Sequence, residues 1–459
     1  MSRKFQCKAV PSTWLEKNGR RLDCGPYLSG VIEARELLLK HTTEPLSNVT
    51  TGIYHAGRES RIWVDSFDYG VPFMGSTDIL VSDHSHLPLI SKKQIASNPR
   101  FTIGKGWTLI TRSGTVGRMA YARPDMDGIA CSEDVMRVVP DEMSIKPGYL
   151  YAYLSSRFGV PIVISGTYGA IIQHIEPQHI VDLPVPRLGA VEDQVHDLVQ
   201  RAAGLRTEAN LMLGNAKKDL ELEIGGGPVS WKCWHPQTLA VETKTVRSCI
   251  SRLDAFHHIG YVGEALKKAK VDLIEFKSIG RAHLPPFLKR IWVEEGGYEF
   301  LGGRELMTVD LRSGRYISPR IPTIDKFIVK EGQVLFPCVG QRYGIYGRPV
   351  LANRHLIGKA VSQAVMRLIP KDVEDAGYVS IYLATSFGHR LSMRFSAGTS
   401  IPALSEEGAA QTLIYWPEKE RRRELGRIAN QAWEKRAQAT ELEDEARALV
   451  ERAIEEESR

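Results

Sequence analysis

Residues 135–140 read VMRVVP and residues 365–370 read VMRLIP, 230 positions later in a chain of 459. Two nearly identical strand-like hexamers so far apart constrain the fold more than any other feature, because their flanks repeat in the same order. Leu22-Asp23 and Glu33-Ala34 return as Leu253-Asp254 and Glu264-Ala265, and RIWV at 61–64 returns at 290–293. FMGSTDIL at 73–80 faces FLGGRELM at 300–307, and IGKGWTLITRSGTVG at 103–117 faces VKEGQVLFPCVGQRYG at 329–344. GYLYAYLSSRFG at 148–159 is answered by GYVSIYLATSFG at 377–388, SGT at 165–167 by AGT at 397–399, and LPVP at 183–186 by IYWP at 414–417. The chain is an internal duplication, and it must fold as two copies of one plan.

Each copy reads as α+β. WTLITRSGTVGRMAY and QVLFPCVGQRYGIY are apolar stretches interrupted by Gly and polar residues, a pattern that predicts strand, exposed loop and strand. VMRVVP and VMRLIP are short β-branched runs ended by Pro, hence strands. GYLYAYLSSRF and GYVSIYLATSF carry aromatic and aliphatic residues at helical spacing and predict a helix on each sheet.

A different pattern follows each copy. Val191, Val195, Leu198, Ala202, Leu205, Ala209, Met212 and Ala216 step alternately by four and three. Leu425, Ile428, Ala432, Lys435, Ala439, Leu442, Ala446, Leu449 and Ala453 keep the same rhythm. A sustained repeat of about 3.5 residues keeps an apolar seam on a partner helix, which is the pattern of a coiled coil. Two such helices in a duplicated chain can pair antiparallel about a pseudo-twofold axis; the simpler alternative packs each helix on its own globule. GGGP at 225–228 supplies a helix stop. The expected domains are 1–188 and 227–417, two homologous globules, with helices over 189–226 and 418–459 as the strut.

Composition excludes several classes. A hydrophobic fraction of 43% and a charged fraction of 25% are those of an ordinary globular protein, and a formal net charge of +6 permits nucleic-acid binding without demanding it. No apolar run reaches the roughly 18 residues of a membrane span, so the cytoplasm is the expected compartment. Six cysteines lie without CxxC spacing, which disfavours a metal or disulfide framework. Cys233 with His235, His84 with His86, and His257 with His258 read as surface or packing residues rather than ligands.

SGTYGAIIQHIEPQHIVDLPVPRLGAVEDQVHDLV at 165–199 resembles the end of a target recognition domain and the start of the following helix in specificity subunits of type I restriction-modification systems. Ser165-Gly166-Thr167, Ile175, Ile180, LPVP and Asp193-Gln194 carry the likeness, and the LITRSGTVG loop resembles the family's Gly-bearing loop. The order recognition domain, helix, recognition domain, helix covers nearly the whole chain. The second half departs from the pattern: Ala397 stands for the Ser of SGT, and Glu418-Lys419-Glu420 has no match to Gln194.

The resemblance implies a DNA-binding subunit without chemistry of its own, which chooses a split target and seats two methyltransferase (modification) subunits. Those partners would bind S-adenosylmethionine for DNA methylation, and a restriction subunit, if present, would bring ATP and Mg. The chain itself would bind no cofactor and no metal. The residues agree that it lacks a methyltransferase signature: the nearest string to a polar residue before Pro-Pro-aromatic is LPPF at 284–287, and no phosphate-binding GxxxxGK[ST] is present.

Side chains on loops at strand ends are the candidates for touching double-stranded DNA. In the first copy these are Ser76, Thr77, Arg112, Ser113, Thr115 and Arg118; in the second, Arg304, Gln341, Arg342 and Tyr343. Lys92, Lys93, Lys289 and Arg290 are candidates for phosphate. Each could equally be a solvated loop residue. A duplicated scaffold or adaptor that binds no DNA is the competing function, and a fused enzyme is a third.

Overall fold

The computed structural model describes residues 7–17, 25–28, 30–165, 174–229, 252–253, 255–258, 260–341, 344–398 and 400–456. The chain divides into two compact units, one made of residues 1–207 and 438–459, the other of 208–437. Both long helices are shared out at these borders, so each unit contains one globule and a stretch of each helix.

The first unit holds three small sheets. Thr43–Pro45 pairs antiparallel with Pro184–Pro186. A four-stranded antiparallel sheet runs in the order Thr50–Tyr54, Val135–Pro140, Thr108–Thr111 and Met119–Tyr121. A second runs in the order Trp63–Val64, Leu89–Ser91, Gly70–Met74 and Ala130–Cys131, the last pair parallel.

The second unit repeats this strand for strand. Leu273–Glu275 pairs with Leu413–Tyr415. One sheet orders Gly280–His283, Val365–Pro370, Val334–Pro337 and Val350–Leu351; the other orders Trp292–Val293, Tyr316–Ile317, Tyr298–Leu301 and Ala360–Val361, again ending in a parallel pair. Mixed α+β architecture is thus present twice.

The doubled hexamer has a structural cause. Both strands lie inside their sheets, with identical burial along their six positions. The third residue is a fully buried arginine that closes off free carbonyls. Arg137 donates to Ser132 O at 2.8 Å, Val135 O at 2.6 Å, Phe101 O at 3.1 Å and Cys131 O. Arg367 donates to Val365 O at 2.9 Å, Phe327 O at 3.1 Å and Val361 O at 3.2 Å, the equivalent carbonyls. An arginine supplies five N–H donors in a rigid fork, so one side chain ties two strands and a loop together where no ladder can reach.

The tyrosine-rich segments form the helices Pro147–Leu154 and Ala376–Ala384, each shorter than its segment and followed after a break by a second helix, Gly159–Ser165 and Ser386–Met393. Glycine permits the break: a Cβ on Gly159 would stand 2.3 Å from Tyr153 O, and one on Gly388 2.0 Å from Tyr382 O. Tyr149 and Tyr153 donate their hydroxyls to Pro186 O and Pro184 O, and Tyr378 and Tyr382 donate to Tyr415 O and Leu413 O. A second difference lies in the loop strands. Met119–Tyr121 follows the first loop directly, whereas the partner of Val334–Pro337 begins only at Val350, after a turn with positive φ at Gly344 and Gly347.

The central helix covers Ala190–Gly225 and the C-terminal helix Lys419–Glu456, 36 and 38 residues. At 1.5 Å per residue these are roughly 54 and 57 Å long. Gly226 N bonds Leu222 O at 2.8 Å and Gly227 N bonds Glu221 O at 3.0 Å, with φ +73 at Gly226, which is the glycine stop expected of GGGP.

Within each unit the two helices touch. In the first, Val195, Val199 and Ala203 share one core cluster with Ala446, Val450 and Ile454. In the second, Lys435 meets Glu208 at 2.9 Å, Arg436 meets Asn210 at 2.7 Å, and Arg421 meets Glu223 at 3.2 Å, so the stretches run antiparallel.

Half of the expected seam is fully buried: Val195, Ala202, Ala209, Ala216, Leu425, Ala432, Ala439 and Ala446. The alternate positions are displaced by one residue. Val191, Leu198, Leu205, Met212, Ile428, Leu442, Leu449 and Ala453 are only half-buried, while Val199, Arg206, Ala429, Glu443, Val450 and Ile454 are buried. The reason is the second neighbour: each helix also packs on its globule, as Gln200 does on the Tyr121 hydroxyl at 2.7 Å, and that rotates the buried stripe. No helix among the described residues is long and apolar enough to cross a membrane.

Candidate nucleic-acid interface

The loop at the end of the sheet in the first unit is built by backbone closure. Thr111 N bonds Arg118 O at 2.9 Å and Gly117 N bonds Thr111 O at 2.9 Å, with positive φ at Gly114 and Gly117. This leaves Thr115 and Arg118 exposed and Ser113 half-buried, its hydroxyl donating to Asp134 at 2.5 Å. Arg112, one residue earlier, points inward instead. Its guanidinium donates to Ile175 O at 3.1 Å, Glu133 O at 3.2 Å and the Glu176 carboxylate. In this conformation it joins the loop to the strand end rather than facing solvent.

The FMGSTDIL turn is capped by Asp78, which accepts from Gly75 N at 2.8 Å and leaves Ser76 half-buried and Thr77 exposed. In the second unit Glu305 accepts from Gly302 N at 3.1 Å, and Arg304 is exposed at the same place. Gln341 is exposed and donates to Ser400 O at 3.0 Å. Arg342 and Tyr343 lie outside the described residues.

Lys92 and Lys93 open the helix Lys92–Ser97 and are both exposed, Lys92 donating to Asp68 O at 3.1 Å. Lys289 is exposed, and Arg290 is exposed with its guanidinium carbon 5.2 Å from the Phe300 ring centre. Arg61 stands 5.1 Å from Phe73 in the same way, and Trp63 and Trp292 meet those phenylalanines edge-on at 5.4 and 5.5 Å.

Sequence reasoning passed over one group of surface residues. Ile62, Trp63, Phe67 and Tyr69 are all more than half exposed on the small sheet of the first unit. The signal was there: DSFDY between RIWV and GVPF is longer than the EEGG that follows RIWV in the second copy. The acids Asp65 and Asp68 flank these aromatics and are exposed too.

His84, His196, His257 and His283 all sit in environments that favour the neutral ring. His84 is buried, and burial first and the Arg123 charge second pull its pKa down to about 4, while its Nε2 lies 3.0 Å from Asp78 O. Burial also lowers the His196 pKa, and its Nδ1 accepts from Gly148 N at 3.1 Å. Among the described residues no group of three His, Cys, Asp or Glu side chains is arranged to hold a metal.

No family model matches the chain, and no curated protein does. Solved structures do. The S subunit of a type I restriction-modification system from M. genitalium aligns at 12% identity and a TM-score of 0.37, over 90% of this chain and 94% of that one. The HsdS subunit from Thermoanaerobacter tengcongensis aligns at 14% identity and a TM-score of 0.27, over 90% and 96%. A structure described by the complex assembly and conformational transition of the type I R-M system aligns at 15% identity and a TM-score of 0.29, over 90% and 97%. Over nine-tenths of its length, then, the chain is similar to S subunits of type I restriction-modification systems.

Proposed function

We propose that the chain is a DNA-reading specificity subunit, non-catalytic itself, that recognises a bipartite duplex target in the cytoplasm. In this reading 1–188 and 227–417 are two target recognition domains, and the helices of 189–226 and 418–459 form an antiparallel coiled coil about a pseudo-twofold axis that sets the gap between half-sites. Two methyltransferase subunits carrying S-adenosylmethionine assemble on it, and a restriction subunit using ATP and Mg joins where one exists.

One observation carries the reading: a three-sheet globule is built twice with the same strand order, while the loops at its strand ends differ. A repeated frame with unlike loops suits two half-sites of unlike sequence. The test is methylation mapping of the host genome with and without the gene for this chain. A split methylated motif that vanishes on deletion is the expected result, and an unchanged methylome rejects the reading.

A duplicated protein-binding adaptor is the second reading, favoured by the acidic, aromatic DSFDY loop, which suits a protein surface better than phosphate. A salt titration on duplex DNA separates the two. Phosphate contacts release counterions, so DNA affinity should fall steeply between 50 and 200 mM salt, on the order of a hundredfold or more for several contacts.

A further inference from the structure

The seam between the long helices is built largely of alanine, and it is periodic. Ala202, Ala209 and Ala216 are one heptad apart on the central helix, and Ala432, Ala439 and Ala446 on the C-terminal helix. All six are buried. Sliding one helix past the other by seven residues would put alanine against alanine again, so small-residue packing alone leaves several registers nearly equivalent.

Beside the apolar cluster and the polar contacts already described, a buried ion pair breaks this degeneracy within the alanine stretch. Arg206 and Glu443 are buried in the seam of the first unit, 4% and 6% exposed. Arg206 donates from one nitrogen to Glu443 Oε1, and from the other to Glu443 Oε2 at 3.2 Å and to Thr440 Oγ1 at 3.3 Å. Arg447 approaches Glu443 Oε2 at 3.8 Å and lies close to the buried Tyr151 of the globule.

The duplicated position lacks this acid. Arg436 corresponds to Arg206, Asn210 to Thr440, but Leu213 to Glu443. There Arg436 donates to Asn210 at 2.7 Å and lies 4.6 Å from the Trp433 ring.

A slip of one heptad in one direction would set Arg206 against Val450 and Glu443 against Leu213. In the other direction it would set Arg206 against Arg436 and Glu443 against Val199. Both registers strand a buried charge on each helix. Leaving a buried ion without its partner costs far more than the pair contributes, so the pair acts by penalising the wrong registers.

We propose that Arg206 and Glu443 are the positioning pair that fixes the register of the two long helices. Resting on the specificity-subunit reading, the inference makes this pair the determinant of a single accepted gap between half-sites.

The full-length chain tests it with spin labels on unnatural amino acids at the exposed positions 204 and 445. The unsubstituted pair and Arg206→Lys should each give one distance. The double variant Arg206→Met with Glu443→Leu keeps the packing and drops the charges. It should give a second population at a longer distance, because the two labels face each other at one level and a slip of one heptad offsets them by roughly 10 Å along the helix axis. Should that variant not accumulate, Arg206→Gln with Glu443→Gln, which drops both charges and keeps a polar pair, carries the same expectation of a second population. A single distance, unchanged in the charge-free variants, overturns the proposal.

Selection from a random duplex pool separates this inference from the reading beneath it. If the distances split while both proteins select one gap, the spacer reading fails and the register assignment stands. If the parent chain selects one gap and the double variant selects that gap alone with its distance unsplit, the register assignment fails and the spacer reading stands.

Discussion

His84 corresponds in the duplication to Leu311 of the second copy, and both are buried. The comparison isolates what a neutral buried imidazole contributes. Its folded pKa of about 4 lies below the ordinary 6.5, with Arg123, Asp125 and Asp83 around it. The unfolded chain therefore binds the extra proton between those values. Stability from this group is complete above pH 6.5 and is lost as pH falls toward 4, by at most roughly 3 kcal/mol. His84→Leu should remove that loss. Hydrogen exchange of peptides around residues 74–84 and 120–131, compared between variant and parent at each pH, should show less acid-induced opening in the variant, with the second copy as internal control. The same logic applies to Arg112 and Glu176, which the second copy replaces with Cys338 and Ser405 while keeping the backbone bond, Ile175 N to Arg112 O at 3.0 Å and Leu404 N to Cys338 O at 2.9 Å. Arg112→Ala should destabilise the first globule by roughly 1–3 kcal/mol, because it removes the donor of the Ile175 and Glu133 carbonyls and the guanidinium beside Glu176, which keeps His55 at 3.2 Å. Arg112→Cys with Glu176→Ser should cost less than either single change, as measured by denaturant unfolding. A loss equal to the sum of the singles would contradict the pairing.

At the scale of elements, both long helices were legible because a period near 3.5 residues persisted over 25 positions or more, and GGGP marked the stop. Which residues of the stripe are buried was less legible. The seam reads as alternating steps of four and three, and a one-residue displacement of every other position keeps that rhythm; contact with the globule decided between the two. Arg206 was invisible as a seam residue for the same reason, since a charged side chain is assigned to solvent unless its partner, 237 positions away, is known. Tyrosine hydroxyls on strand carbonyls likewise depend on contacts that spacing does not reveal. If the helices set the spacing, deleting one heptad from each, residues 212–218 and 427–433, should shift the preferred gap by about 10 Å, roughly three base pairs. Both half-sites should keep their sequence, and binding selection reads the two properties separately.

For the molecule as a whole, duplication was the most legible property, since it needs only the order of matching blocks. The strand orders of the two units agree pair for pair with that order. What each copy touches was the least legible, because base contacts lie in loops where neither packing nor periodicity restricts the residue. Arg112 shows the difficulty: an arginine beside a glycine loop turned inward to Glu176. Selection of bound duplexes from a random pool, followed by sequencing, shows whether the chain reads two half-sites at a fixed spacing. Two short sequence blocks separated by one fixed unspecified gap, with loop changes Thr115→Ala and Arg118→Ala altering one block and Arg304→Ala the other, is the predicted result. A single block, or no enrichment over the starting pool, would contradict the account.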